Sequence, residues 1–339
     1  HHVVSATLAP DTHAIEIVSE ITLPDAWAGS KPGDPVRMFR LHAGLTVTAL
    51  EGSDFDVGPH HVQRKPGKSG SGEEGHRNDL RLRQWVLHPK ADSEARTVRL
   101  AIKGKIHHPL EMESEEYARS FSRTPGTISG EGVFLGGASW WLPRFGDELL
   151  TFRLEVNLPG VWDAVSQGVR TTAKSEEARR VVVWDCKHPM DEVYLIASKF
   201  HEYSRSAGGV LAQAFLRSPD ENLANKYLEV TAQYIEMYRK LIGPYAFEKF
   251  ALIENFWETG YGMPSFTLLG PRVIRFPFIL HSSYPHEILH NWWGNSVYVD
   301  WETGNWCEGL TAYMADHLIR EGQGRGVEYR QDTLKSYRN

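Results

Sequence analysis

Two histidines four residues apart, His286 and His290, are the residues of this sequence best suited to chemistry. Residues at that spacing lie on one face of a helix, so both imidazole rings can point at the same ion. Zinc accepts neutral imidazole and carboxylate ligands in a tetrahedral arrangement, and catalytic zinc sites have three protein ligands. Glu308, which opens the next helical segment, is the natural third ligand. The pattern therefore predicts a site for a single Zn²⁺ ion in each chain.

Glu287 stands between these histidines and cannot reach the metal in the same way. A carboxylate beside a zinc site can accept a proton from the metal-bound water, which makes that water a better nucleophile. Glu287 is therefore the predicted general base of a hydrolytic reaction. A bare H-E-x-x-H pattern also arises by chance among packed or exposed histidines. Here the segment Trp-Trp-Gly-Asn at residues 292–295 and then Glu308 follow it, which favours zinc binding.

Length and composition limit the classes of protein to consider. A chain of 339 residues is long enough for two ordinary domains, and 41% hydrophobic with 24% charged residues is close to the globular average. The net charge of −6 gives no basic surface for nucleic acid. The apolar runs are much shorter than the ~20 residues of a membrane-spanning helix. These values predict a soluble protein, either cytoplasmic or exported with a leader outside this sequence.

The cysteines, and a histidine pair with acidic residues nearby, are also of types that can bind metals, but neither group indicates a second metal site. The sequence has only two cysteines, which are too few for a disulfide framework. A single disulfide between Cys186 and Cys307 is an alternative that the sequence alone does not decide. Cys307 adjoins Glu308, but neighbouring helical residues point about 100° apart, so a packed thiol is expected. A histidine pair is followed by four glutamates, and their spacing does not match that of metal ligands. Such a run of charged residues predicts a solvent-exposed surface. The residues are His107, His108, Glu111, Glu113, Glu115 and Glu116.

Hydrophobic periodicity separates a β-rich region from a helical one. Up to about residue 205, hydrophobic and polar residues alternate, as in residues 152–158, which predicts antiparallel sheets with one wet face. Residues 218–221 read as a capping box with Pro219 in the first helical position, and they predict the start of a helix. Spacings of three and four follow, up to Gly243. The predicted buried stripe of that helix is Leu223, Tyr227, Val230, Tyr234, Met237 and Leu241.

The elements around the zinc motif can also be predicted. Residues 250–253 indicate a buried strand, and residues 260–270 indicate a single edge strand, where Pro264 is tolerated. Such an edge could hold a peptide by main-chain hydrogen bonds. Pro285 fits the first turn of the motif helix, which is expected to continue to about Trp293. A second helix is expected from Asn305 to about residue 318, with Glu308 in its first turn.

The zinc segment resembles the aminopeptidase N type of zinc metallopeptidases, within the thermolysin-like gluzincins. Residues 286–290 match the family's H-E-x-x-H, residues 292–295 are similar to its W-[FW]-G-N, and residues 308–310 are similar to its E-G-F. The helix leading into residues 241–245 is also similar, so the likeness covers residues 218–320. The resemblance implies a peptide substrate, aligned by the strand that contains Gly262 and Met263.

Several features depart from the family pattern. Seventeen residues separate His290 from Glu308 where the family has eighteen, which a shorter loop accommodates. Pro264 occupies the position of the family's glutamate that holds the substrate's amino group. Either Glu258 or another acid replaces that glutamate, or the protein is not a strict aminopeptidase. The family's transition-state tyrosine and C-terminal helical domain lie beyond Asn339, so the resemblance implies that the C-terminal part of the same polypeptide is missing here.

These observations predict an α+β protein with an N-terminal antiparallel β-sandwich-like domain, residues 1–207. A truncated thermolysin-like α/β zinc-peptidase domain, residues 208–339, is expected to follow it. The predicted function is hydrolysis of peptide bonds by a zinc-dependent metallopeptidase. A zinc-retaining binding or scaffold module without catalysis is the alternative. A zinc hydrolase that acts on another amide or on an epoxide stays open as well.

Overall fold

The computed structural model describes residues 1–24, 37–60, 80–90, 96–112, 122–146, 149–300, 302, 304 and 306–338. The chain forms two compact units, one of His1–Glu111 with Thr124–Lys199 and the other of Met112–Arg123 with Phe200–Asn339. The predicted α+β, strand-rich class is confirmed. This division falls at residue 199, before the predicted boundary after residue 207, because the strand His201–Ala207 pairs within the sheet of the second unit.

The strands of the described chain are, in order, β1 (His2–Ala9), β2 (Ala14–Thr22), β3 (Arg37–His42), β4 (Leu45–Ala49), β5 (Phe55–Pro59), β6 (Leu82–Pro89), β7 (Thr97–Lys105), β8 (Glu111–Met112), β9 (Ser122–Arg123), β10 (Thr127–Ile128), β11 (Val133–Leu135), β12 (Leu150–Pro159), β13 (Asp163–Val165), β14 (Val169–Glu176), β15 (Arg179–Met190), β16 (Leu195–Ser198), β17 (His201–Ala207), β18 (Val210–Leu216), β19 (Lys249–Glu254), β20 (Gly260–Met263) and β21 (Phe266–Leu269). The helices are α1 (Glu221–Leu241), α2 (Ser283–Leu289), α3 (Trp306–Ala312), α4 (Leu318–Gly322) and α5 (Gly326–Arg338), and a π-helical turn, Tyr313–His317, joins α3 to α4. Short 3-10 helices occupy Pro10–Thr12, Gly137–Ser139, Val273–Arg275 and Pro277–His281.

The first unit is built on a seven-stranded sheet with the order β14-β15-β12-β1-β2-β7-β4. The alternation in β12 is confirmed, since Phe152, Leu154, Val156 and Leu158 are fully buried. The expectation of purely antiparallel sheets is wrong at one place, because β1 pairs with β12 in parallel. Alternation reports which face of a strand is buried and carries no information about strand direction, so it could not reveal this pair.

The second unit contains a five-stranded sheet with the order β17-β18-β19-β21-β20. Its central strands β18, β19 and β21 run parallel, and every residue of β19 is buried, as expected for residues 250–253. The predicted single strand over residues 260–270 is wrong. It is a hairpin of two strands, because Pro264 has no amide hydrogen for a ladder and Ser265 adopts a positive φ of 69°. The first strand of the hairpin, β20, lies at the edge of the sheet.

Helix α1 covers the sheet of the second unit with a buried face that includes Tyr227, Ile235 and Tyr238. Its predicted start is wrong: the N-cap is Asp220, whose Oδ1 accepts a hydrogen bond of 2.9 Å from the amide of Leu223. An aspartate cap of this kind stabilises a helix by about 1 kcal/mol. The predicted stripe is correct in the centre of the helix, whereas Leu241 at its end is 53% exposed. No helix in the described part of the chain is long and apolar enough to span a membrane.

The motif helix α2 begins with Ser283, so Pro285 lies in its first turn as predicted. Its predicted extension to Trp293 is wrong. The helix ends at Leu289, and the amides of Asn291 and Trp292 bond to carbonyls three residues earlier, which tightens the chain into turns. The second helix has its first described residue at Trp306, and the predicted start at Asn305 lies outside the described residues.

His108 forms a hydrogen-bonded pair with His42 in the first unit. The amide of Gly44 donates to Nδ1 of His42, so Nε2 of His42 carries its proton and donates to Nε2 of His108 over 2.7 Å. Burial, followed by the charge of His108, lowers the pKa of His42 to about 4. The ring of His107 instead stacks on His13. The predicted solvated acids Glu113, Glu115 and Glu116 lie outside the described residues.

We expect the buried His42 to make the fold sensitive to acid. Its folded-state pKa is lowered, so its stabilising contribution is present above pH 6.5 and is lost as the pH falls toward 4. Between pH 7 and 5 this loss is about 2 kcal/mol in the free energy of unfolding. Urea titrations of the wild type and of His42→Gln should show it as a difference in slope with pH. Parallel curves for the two proteins would contradict the prediction.

Candidate metal centre

The three predicted metal ligands converge in the second unit. Nε2 of His286 lies 3.3 Å from Oε2 of Glu308, and Nε2 of His290 lies 3.5 Å from Oε1 of the same carboxylate. One donor atom from each of the three residues falls within 4.8 Å of the others, and among the described residues this is the only such group. Two imidazole nitrogens and a carboxylate oxygen form a donor set that zinc prefers. The residues present therefore fit a zinc ion.

The other nitrogen of each histidine ring is already occupied. Nδ1 of His286 lies 3.1 Å from Oδ2 of Asp316, and Nδ1 of His290 lies 3.1 Å from the carbonyl oxygen of Trp293. Both partners are acceptors, so each Nδ1 carries the ring proton and each Nε2 presents a lone pair. Hydrogen bonds of this type fix the tautomer and the orientation of metal-binding histidines. Both rings are therefore prepared to bind a cation between them.

Helix α2 orients these side chains because its opposite face is buried. Tyr284, Ile288 and Leu289 are fully buried in the core of the second unit, which leaves His286 and His290 on the other face. The two rings are 4.7 Å apart between centroids. Packing thus fixes the rotation of the helix, and the four-residue spacing of the histidines then points both rings to one place.

Asp316 belongs to the centre but was not predicted from the sequence. It follows Glu308 by eight residues, and a regular helix would turn such a residue about 80° away from the Glu308 face. The π-helical turn Tyr313–His317 accommodates an extra residue and brings Asp316 to Nδ1 of His286. No local sequence pattern predicts this π-helical turn.

We expect Asp316→Ala to weaken zinc binding about 10- to 100-fold, because the substitution removes the acceptor that orients His286. Competition with a chromogenic chelator measures the affinity. Asp332→Ala on α5 is the matched control, since Asp332 pairs with Lys335 on an exposed surface and its loss should leave zinc affinity unchanged. Equal affinities of Asp316→Ala and the wild type would contradict this role.

Glu287 lies against the edge strand β20. A Cβ atom added to Gly262 would overlap Oε2 of Glu287 and would lie 3.9 Å from Cδ2 of His290. Only glycine leaves room for the carboxylate at this position. The backbone of the predicted substrate strand and the predicted general base are therefore immediate neighbours.

The electrostatics of the centre suit proton transfer near neutral pH. The pKa of Glu287 is raised to about 7, chiefly by burial; His286 opposes this shift, while Glu308 and Asp316 add to it. Burial lowers the pKa of His286, but Asp316 and the other nearby carboxylates outweigh this effect and the net shift is upward. The pKa of His290 is lowered, first by burial and then by His286.

The other predicted substrate-binding residues have different surroundings. Met263 is 6% exposed at the end of β20. Glu258 lies before β20, and its carboxylate accepts hydrogen bonds from the amides of Arg272 and Val273 at 3.0 and 3.4 Å. It also forms an ion pair of 3.4 Å with the Arg272 side chain. Glu258 is therefore already engaged at the start of the 3-10 helix that follows.

Cys307 is a packed thiol, as predicted. Both cysteines are free and buried, so no disulfide joins them. The sulfur of Cys307 lies 3.6 Å from Nδ1 of His290, on the side of the ring opposite the metal-facing nitrogen. A Cβ atom on Gly294 would approach this sulfur to 3.1 Å, and the φ of Gly294 is 99°. Both the close contact and the positive φ favour glycine at this position.

Solved structures show the same fold. The chain is similar to the M1 zinc metallopeptidase of Deinococcus radiodurans, with a TM-score of 0.64, 15% identity, and coverage of 99% of this chain and 74% of that one. A point-mutant form of that enzyme bound to a Tyr-Ser-Ala substrate gives a TM-score of 0.67 at 16% identity with the same coverage. No protein-family model and no curated protein matches the sequence. The chain thus has the fold of the M1 zinc metallopeptidases.

Proposed function

We propose that this protein is a zinc-dependent peptidase that hydrolyses peptide bonds. The observation that carries the proposal is the convergence of His286, His290 and Glu308 beside a carboxylate, Glu287, that lies against an edge strand. The similarity to a peptidase that binds a Tyr-Ser-Ala substrate supports the choice of substrate class. The zinc ligands and the base are proposed in these roles.

Each residue has a distinct task in the proposed reaction. His286, His290 and Glu308 hold Zn²⁺, which when bound polarises the scissile carbonyl and makes water more acidic. Glu287 accepts a proton from the attacking water and then delivers it to the leaving amine. Its pKa of about 7 lets the same carboxyl hold and release this proton near neutral pH. Asp316 keeps His286 in the required tautomer.

Strand β20 is proposed to align the substrate. In the described part of the chain it is the last strand of its sheet, a position at which an extended peptide can add as a further strand. Gly262 brings this edge against Glu287, and Met263 adds a mostly buried apolar side chain at its end. A scissile bond placed beside Gly262 would therefore lie next to the general base.

We expect peptides with free and with acetylated amino termini to be hydrolysed at similar rates. A strict aminopeptidase needs an acidic partner for the substrate's ammonium group, because a desolvated cation is costly when unpaired. Here the carboxylate of Glu258 accepts hydrogen bonds from the amides of Arg272 and Val273. Pro264, in the hairpin turn, has no acidic side chain. The kcat/KM values for Tyr-Ser-Ala and its N-acetyl form should agree within about tenfold, or 1.4 kcal/mol. A preference above about 100-fold for the free amine would contradict this expectation.

A zinc-retaining scaffold without catalysis is the second candidate function. The contacts of Glu258 favour this candidate, because its carboxylate already binds the amide and the side chain of Arg272 in place of a substrate's amino group. The placement of Glu287 counts against it, since a purely structural zinc site needs no base.

A panel of free peptides, acetylated peptides, amino-acid amides and epoxides, offered to the zinc-loaded protein, decides between the candidates. Zinc-dependent cleavage of peptides supports the proposal. Turnover of only the amides or the epoxides would assign a different hydrolase, and zinc binding with no turnover of any substrate would support the scaffold.

A further inference from the structure

A buried hydrogen-bond network joins the turn of the β20–β21 hairpin to the motif helix. Met263 and Phe266 close the hairpin, with Pro264 and Ser265 between them. Ser265 is fully buried and has a φ of 69°, a conformation that serine seldom adopts. A conformation of this kind persists only where the surroundings hold it in place. Two side chains from different elements supply these contacts.

Asn291 holds the turn from the side of α2. Its side chain is fully buried, and Oδ1 accepts a hydrogen bond of 2.7 Å from the amide of Ser265. Its Nδ2 donates to the carbonyl oxygens of Glu287 and Ile288 at 3.2 and 3.1 Å. These carbonyls belong to the last turn of α2, where helical partners run out. One amide group therefore caps the helix that carries the base and fixes the turn at the end of β20.

Lys249 holds the same turn from the side of the sheet. Its side chain is 3% exposed, and Nζ donates to the hydroxyl and to the carbonyl oxygen of Ser265 at 2.8 and 3.2 Å. The amide of Ala251 on β19 donates to that carbonyl as well, at 3.0 Å. Ser265 is thus tied both to the central strand of the sheet and to α2.

We propose that Lys249, Ser265 and Asn291 form a turn clamp that sets the position of β20 relative to Glu287. The inference rests on the proposed function, because β20 is taken as the substrate strand and Glu287 as the base. The three residues touch no reacting atom in that scheme, so they are positioning residues. Gly262 lies three residues from Ser265, and its contact with Glu287 leaves no room for an added Cβ. A shift of about 1 Å between substrate and base can cost about 100-fold in rate.

Asn291→Ala tests the clamp, with Asn255→Ala as its matched control. Asn255 is also a buried asparagine of the second unit, at 1% exposure, and within the described chain its amide atoms have no hydrogen-bond partner. Hydrogen exchange of residues 260–266 should become about tenfold faster in Asn291→Ala and should change little in Asn255→Ala. This measurement requires no substrate, so it decides on the clamp even if the proposed function fails. Unchanged protection in Asn291→Ala would overturn the clamp.

The kinetic test separates positioning from damage to the metal site. We expect Asn291→Ala to keep zinc affinity within about threefold and to lower kcat/KM about 100-fold. Ser265→Gly keeps the amide donor and accepts the positive φ but loses the hydroxyl that Lys249 binds, so we expect a smaller change in exchange and in kcat/KM than in Asn291→Ala. If the wild type cleaves no peptide, the proposed function fails and hydrogen exchange still judges the clamp. If Asn291→Ala loses zinc or keeps full activity, the positioning role is wrong.

Discussion

Glu287→Gln is expected to abolish hydrolysis while zinc binding persists. Glutamine keeps the size of the side chain beside Gly262 but cannot accept a proton, and loss of a general base lowers kcat by about 10²- to 10⁴-fold. Zinc affinity should stay within about threefold, because the three proposed ligands are untouched. Steady-state kinetics on a cleaved peptide, with metal analysis of the same preparation, measure both effects.

Glu236→Gln is a suitable control for the charge change. Glu236 is paired with Arg239 and Lys240 on the exposed face of α1, so its substitution should leave both activity and zinc content unchanged. Full activity of Glu287→Gln would refute the assignment of the base. Joint loss of activity and of zinc would show that Glu287 takes part in holding the metal.

His286→Ala is expected to lose both zinc and hydrolysis. The substitution removes one of three donors, while the buried face of α2, formed by Tyr284, Ile288 and Leu289, is retained and should keep the fold. Bound zinc stabilises the native state by mass action, so the Tm of the wild type should rise with added zinc. The Tm of His286→Ala should not respond, and its far-UV circular dichroism should match the wild type.

A matched histidine on the same unit controls for the loss of an imidazole. His201→Ala on β17 replaces an exposed histidine outside the metal centre, and its zinc response should equal that of the wild type. Undiminished zinc in His286→Ala, measured by mass spectrometry of the dialysed protein, would refute the ligand assignment.

The convergence of His286, His290 and Glu308 was largely predictable because its signals are local. The spacing of His286 and His290 follows from helix geometry alone, and the position of Glu308 after a short loop follows from the family resemblance. Asp316 was not predictable, since it reaches His286 through a π-helical turn that replaces the regular helical period. A single displaced residue in a helix changes which side chains share a face.

The hairpin that borders the centre shows a second limit of the sequence. Gly262 and Pro264 indicated an edge strand, but the turn at Ser265 depends on Asn291 and Lys249, which are distant in sequence. The β-rich region shows the same limit, because alternation predicted buried faces correctly and could not predict the parallel pairing of β1 with β12. Long-range pairing is decided by the whole fold, not by any segment alone.

X-ray absorption spectroscopy at the zinc edge tests the central claim most directly. The ligand set of His286, His290 and Glu308 predicts one zinc per chain, with nitrogen and oxygen neighbours at about 2.0–2.2 Å and imidazole scattering from two rings. Cys307 lies beside His290, so a sulfur neighbour at about 2.3 Å would place it in the ligand shell. A zinc–sulfur signal, or a zinc-loaded protein with fewer than two imidazole ligands, would contradict the account.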